Sequence, residues 1–90
     1  MAKPHDLTRQ AVNSAVARLL RAERERQGLS MSVVAERAGI SQQMVSYVER
    51  ELRKPTLDTL LRMAHALDIK MPALVERACT AGTNAGKKLK

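Results

Sequence analysis

The stretch VAERAGISQQMVSYVER, residues 34–50, decides how this chain is read. Gly39 stands where a helix would stop, at the place beyond the last turn that glycine fills without strain. Ile40 is an apolar plug in the turn, and Ser41 is placed to cap a following helix. On a helical wheel of about 100° per residue, Met44, Val45 and Val48 fall together on one side of that helix. Gln42, Gln43, Ser46 and Arg50 fall on the opposite side, with Tyr47 flanking them. Two adjacent amides on an exposed face do little for a core. Without an acid, base or nucleophile beside them they do little for catalysis either.

Working outward, Ser30 caps a second helix over about Met31–Ala38, with Val34, Ala35 and Ala38 facing inward. Upstream, Val12, Ala15, Val16, Leu19 and Leu20 follow a 3.6-residue repeat, which predicts a first helix from about Leu7 to Gln27. Gly28 ends it. The N-terminal eight or so residues of the first helix either pack across the fifth helix or build a dimer contact. Downstream, the third helix covers about residues 42–51. Thr56 caps a fourth, whose stripe is Leu57, Leu60, Leu61, Ala64 and Leu67. Pro72 suits the first turn of a fifth, which carries Leu74, Val75 and Ala78. No strand-like alternation occurs. The expectation is an all-α, compact five-helix domain over residues 7–79, with an N-terminally extended first helix and its central helix pair at about 31–50. Residues 1–6 read as a flexible arm, and residues 80–90, TAGTNAGKKLK, as a disordered basic tail.

Ninety residues make one small domain, and the 44 % apolar content comes almost wholly from aliphatic residues, with no Trp and no Phe. Sixteen Lys and Arg against nine Asp and Glu give a net charge of +7. Such a surface concentrates polyanions, which puts nucleic acid or an anionic membrane first among partners. Three of those charges, Lys87, Lys88 and Lys90, belong to the tail. The remainder are spread over several helices, which disfavours a membrane-surface role.

Other chemistry finds little support. Cys79 is the single cysteine, which excludes an internal disulfide and a CxxC site and fits a reducing compartment; it reads as a small packing residue. His5 and His65 lack a second ligand at i+4, so no metal is expected. There is no phosphate-binding glycine loop and no carboxylate pair. The expectation is no enzyme and no cofactor.

A short helix, a glycine turn and an amide-rich exposed helix make the helix-turn-helix pattern, whose second helix enters the major groove. A glutamine amide pairs with adenine N6 and N7, and arginine with guanine O6 and N7. Residues 16–78 resemble the Cro/C1-type (XRE) helix-turn-helix domain, the lambda-repressor-like fold. The resemblance is carried by LLRAERERQGLS, by Ala35, Gly39, Val45 and Glu49 within residues 34–50, by KPTLDTLLRMAHALDI and by LVERA. It implies base reading by Gln42, Gln43, Ser46, Tyr47 and Arg50, and backbone contacts by Ser30, Ser41, Arg53 and Lys54. It further implies a structural ion pair between Arg24 and Glu49. Two positions depart from the pattern. Met31 stands where the family has a phosphate-touching Gln, and Glu51–Leu52 stand where a glycine would end the recognition helix. That helix therefore runs another turn or ends on a non-glycine residue in a strained conformation.

The resulting expectation is a sequence-specific regulator of transcription, a repressor, that binds double-stranded DNA as a homodimer. Its interface would lie on the fifth helix at Leu74, Val75 and Ala78. The alternative is an antitoxin that regulates its own operon and inhibits a toxin partner. Either would be cytoplasmic and nucleoid-associated, with no membrane partner, because no stretch approaches the roughly 20 apolar residues of a membrane span.

Overall fold

The computed structural model describes residues 4–88, and side chains over residues 8–82. Its elements are α1 (Pro4–Arg26), α2 (Met31–Ala38), α3 (Gln42–Glu49), α4 (Leu57–Ala66) and α5 (Met71–Lys88). Among the described residues there is no strand. The fold is all-α, as the periodicity predicts.

Punctuation at the helix ends explains why these segments, and not longer ones, are helical. At the starts of α2, α3 and α4 a hydroxyl takes one orphan N–H. Ser30 Oγ accepts from Val33 N at 3.1 Å, Ser41 Oγ from Met44 N at 3.0 Å, and Thr56 Oγ1 from Thr59 N at 3.1 Å. The four ends share one device, a left-handed residue followed by an apolar one whose N–H reaches back five residues. Leu29 N donates to Arg24 O, Ile40 N to Ala35 O, Leu52 N to Tyr47 O and Ile69 N to Ala64 O, at 2.8 to 3.1 Å. The left-handed residues are Gly28, Gly39, Glu51 and Asp68, with φ of +69°, +70°, +60° and +58°.

The core joins all five helices: Leu20 of α1, Val34, Ala35 and Ala38 of α2, Val45 and Val48 of α3, Met63, Ala64 and Ala66 of α4 with Leu67, and Leu74 of α5. Leu60 packs at its edge. The α4 stripe is therefore rotated from the expected one. Met63 is fully buried, whereas Leu57 is 65 % and Leu61 45 % exposed. The buried face follows i, i+3, i+4, i+7 from Leu60, which leaves Leu57 and Leu61 on the outward edge.

The two end helices differ from the sequence expectation, and packing gives the reason. α5 continues through residues 80–88, where the sequence predicts a disordered tail, and α1 begins at Pro4, inside the predicted arm. Residues 1–3 and 89–90, the rest of those two segments, lie outside the described residues. The extra turns pack on each other: an ideal Cβ at Gly82 would stand 2.6 Å from Val12 Cγ2. Val12 meets Gly82 while Leu19, seven residues on, lies beside Arg77, so α1 and α5 run antiparallel. Buried Ala15, Ala78 and Gly82 let the two backbones approach closely. The extension of α1 is thus spent on α5. In the same region Cys79 is exposed rather than packed.

Candidate nucleic-acid interface

α3 is oriented by what it buries. Val45 and Val48 are fully enclosed, Met44 packs against the core, and Glu49 is the one buried charged residue among the described residues. Its carboxylate faces Arg24 of α1. Arg24 Nε donates to Glu49 Oε2 at 2.7 Å and Nη2 to Oε1 at 2.9 Å, a two-pronged pair. The third prong, Nη1, donates to Leu29 O at 2.9 Å. One guanidinium thus ties the end of α1, the approach to α2 and the last turn of α3. The hydrogen bonds that Arg24 donates to Glu49 raise the Arg24 pKa above its ordinary value. The expected ion pair is present.

With that face fixed inward, Gln42, Gln43 and Arg50 are exposed and Ser46 and Tyr47 are half-exposed on the opposite side. All five expected base-reading residues share one outward surface. Within it two contacts are already made. Gln43 Nε2 donates to the Tyr47 hydroxyl. The Arg53 guanidinium lies over the Tyr47 ring, 5.2 Å from its centroid, within the range of a cation–π contact. Lys54, the next residue, is exposed. Neither contact is legible in the sequence beyond the i, i+4 spacing of Gln43 and Tyr47.

Ser30 and Ser41 are exposed at the openings of α2 and α3, where backbone N–H groups and the helix dipole favour an anion. Both hydroxyl oxygens already accept a cap bond, which leaves each O–H to donate. Met31 does not face outward with them but packs against the core.

α3 ends at Glu49. Arg50 is its cap residue, with φ −88° and ψ 2°, and Glu51 follows at φ +60°. Of the two possibilities the sequence leaves open, the helix stops on a non-glycine residue. Ser14 Oγ of α1 donates to Glu51 Oε1 at 2.5 Å. A groove of about 190 Å³ lies here, bounded by Gln10, Asn13 and Ser14 on one side and Arg53, Lys54 and Pro55 on the other. α1 thereby backs the segment that carries the two cations.

The expected interface on α5 needs correction. Leu74 and Ala78 are fully buried in the chain's own core, because α5 uses that face to close the bundle. Val75, 43 % exposed, is what remains of that surface. Among the described residues no group of His, Cys, Asp and Glu is arranged to hold a metal. No described helix is long and apolar enough to cross a membrane.

A family model described as helix-turn-helix matches residues 20–74, the span from the Leu20 core position through α4 to Leu74. The chain belongs to the Cro/C1-type (XRE) helix-turn-helix family. The chain is similar to an uncharacterised HTH-type transcriptional regulator of Mycobacterium tuberculosis, 44 % identical over 59 residues, which cover 66 % of this chain and 42 % of that protein. The uncharacterised HTH-type transcriptional regulator y4dJ of Sinorhizobium fredii is 42 % identical over 67 residues, 74 % of this chain and 82 % of its own length. The chain thus spans about two-fifths of the mycobacterial relatives it matches. No solved structure matches the chain significantly. The helix-turn-helix pair, α2 and α3, lies wholly inside the matched region.

Proposed function

We propose that this helix-turn-helix chain is a sequence-specific, double-stranded DNA-binding repressor that acts as a homodimer. The observation that carries the reading is the outward row of Gln42, Gln43, Ser46 and Arg50 on α3, set opposite a fully buried Val45 and Val48. A helix held by its back presents its polar side chains in fixed register, as readout of base edges in the major groove requires. Arg53 and Lys54, just beyond the end of α3, and the openings of α2 and α3 supply the phosphate contacts that fix the register. One recognition helix covers few base pairs, so two copies on a pseudo-palindrome, about one helical turn apart, supply the specificity.

The test is a binding titration on genomic fragments, including the one upstream of the gene, at several salt concentrations. Affinity should fall steeply with salt, with a slope in log–log form of roughly 0.9 per phosphate contact, and one fragment should stand out. Equal affinity for every fragment, or no dependence on salt, refutes specific recognition. Sedimentation of the protein with and without that fragment reads the dimer directly.

A further inference from the structure

Gln42 and Gln43 are chemically identical neighbours on α3, and the structure treats them differently. The Gln42 side chain makes no hydrogen bond within the described residues, whereas Gln43 Nε2 donates to the Tyr47 hydroxyl one turn later. The Tyr47 ring is in turn held in place, half-buried, with Arg53 across its face. We propose, on the reading that α3 contacts DNA bases, that Tyr47 is a positioning residue that makes Gln43 a reader of adenine and disfavours guanine.

The number of free donors on the amide decides which base it fits. A free glutamine amide has two N–H donors and a carbonyl acceptor. It serves adenine with one donor to N7 and the acceptor to N6. It also serves guanine, whose N7 and O6 are both acceptors, by turning both N–H groups toward the base. At Gln43 one N–H is committed to the Tyr47 oxygen. One donor and the carbonyl remain, which is the adenine complement, and the two-donor mode for guanine requires that bond to break. The same bond fixes the side-chain torsions before DNA arrives, so less conformational freedom is lost on binding. Gln42, with no such partner, keeps both modes.

The decisive variant is Tyr47→Phe, which keeps the ring under Arg53 and removes only the hydroxyl, and with it the acceptor for Gln43. The base pair in question is the one whose discrimination disappears in Gln43→Ala. There, Tyr47→Phe should lower the preference for A·T over G·C by about tenfold, the scale of one bidentate contact. The salt slope and the melting temperature should stay as in the wild type, since no phosphate contact and no core group is lost. In the Gln43→Ala background, Tyr47→Phe should have no further effect. In the free protein, the Gln43 side-chain amide protons, followed by NMR, should change shift and rotate faster in Tyr47→Phe.

An unchanged preference in Tyr47→Phe, with a discriminating wild type, overturns this inference alone. So does a fall in affinity on Tyr47→Phe that is as large in the Gln43→Ala background as in the wild type, which would mean that Tyr47 touches DNA by itself. A wild type that discriminates no sequence overturns the underlying reading and this inference with it, and the NMR comparison still reports whether the Gln43–Tyr47 bond forms.

Discussion

At the end of α2, Gly39 takes a φ of +70° and the following Ile40 turns into the core. At the end of α3, Glu51 takes a φ of +60° and the following Leu52 stays 56 % exposed. The backbone hydrogen bonds are the same at both ends. Only the first has the residue and the apolar anchor that favour them. A left-handed non-glycine residue costs about 1–3 kcal/mol, so the second end needs support from outside the helix. It has two supports, both from α1: Arg24 grips Glu49, and Ser14 meets Glu51. One helix of the pair is stopped by its own sequence, and the other by the helix it leans on.

The largest expected effect comes from removing the stronger support. Arg24→Met leaves the Glu49 carboxylate, only 1 % exposed, without its counter-charge. The loss should be about 3–5 kcal/mol in urea denaturation, and Arg24→Met/Glu49→Leu should recover a large part of it. A single-variant cost below about 1 kcal/mol, the level of a surface pair, would break the comparison, because α3 would then need no brace.

The two left-handed positions should next respond with opposite signs. Gly39→Ala forces a Cβ into a left-handed residue, with Arg62 Nη1 at 3.1 Å from it, and should cost about 1–2 kcal/mol. Arg62 also donates from Nη1 to Ala38 O at 3.3 Å, a bond the new methyl group would disturb. Glu51→Gly relieves strain instead and should gain about 1 kcal/mol, less the exposed Ser14 bond. The same change removes an acid beside Arg53 and Lys54, so affinity for DNA should rise at low salt. If Glu51→Gly destabilises the fold, the Ser14 contact outweighs the strain.

How much of this was readable in the sequence follows the same division. Features set by local chemistry were legible: the caps Ser30, Ser41 and Thr56, the glycine stops, and the inward and outward sides of α3. The Arg24–Glu49 pair was reached through the family resemblance, since nothing in a linear reading joins positions 25 apart. Features set by docking were not legible. Residues 80–82 read as polar and small, and those are the properties that let α5 lie against α1 at Gly82. Leu57 and Leu61 belong to an apolar stripe on the wheel, yet the face of α4 that is buried runs through Leu60, Met63, Ala64 and Leu67. Leu74 and Ala78 are surface candidates only until α5 is seen to close the core. The resemblance implies base reading by Tyr47, whereas its hydroxyl and its ring have separate partners inside the chain, Gln43 and Arg53.

The smallest effect concerns the α4 end, which also stops on a non-glycine residue, Asp68, and is also supported from α1. Gln27 Nε2 donates to Leu67 O at 2.7 Å and to Glu23 Oε1 at 2.9 Å, so Glu23 steadies the amide that steadies α4. Hydrogen bonds from Arg26 first, and Gln27 second, lower the Glu23 pKa from 4.5 to about 2. A carboxyl lowered on folding contributes stability that is complete above the unfolded value and disappears as pH falls through the folded one. That contribution should therefore fade between pH 4.5 and about 2. Glu23→Gln should be less stable than the wild type at pH 7, and the gap should narrow across that window. Arg26 is largely exposed, so the gap belongs to the scale of surface interactions, well below that of Arg24. Asp68→Gly separates the two possible readings of the narrowing. If the α4 end depends on the Glu23–Gln27 support, the glycine variant, free of strain there, should lose less on Glu23→Gln than the wild type does. Equal losses in the two backgrounds would mean that Glu23 stabilises only the last turn of α1, and that Asp68, a short polar residue more tolerant of the left-handed region than Glu51, holds its conformation unaided.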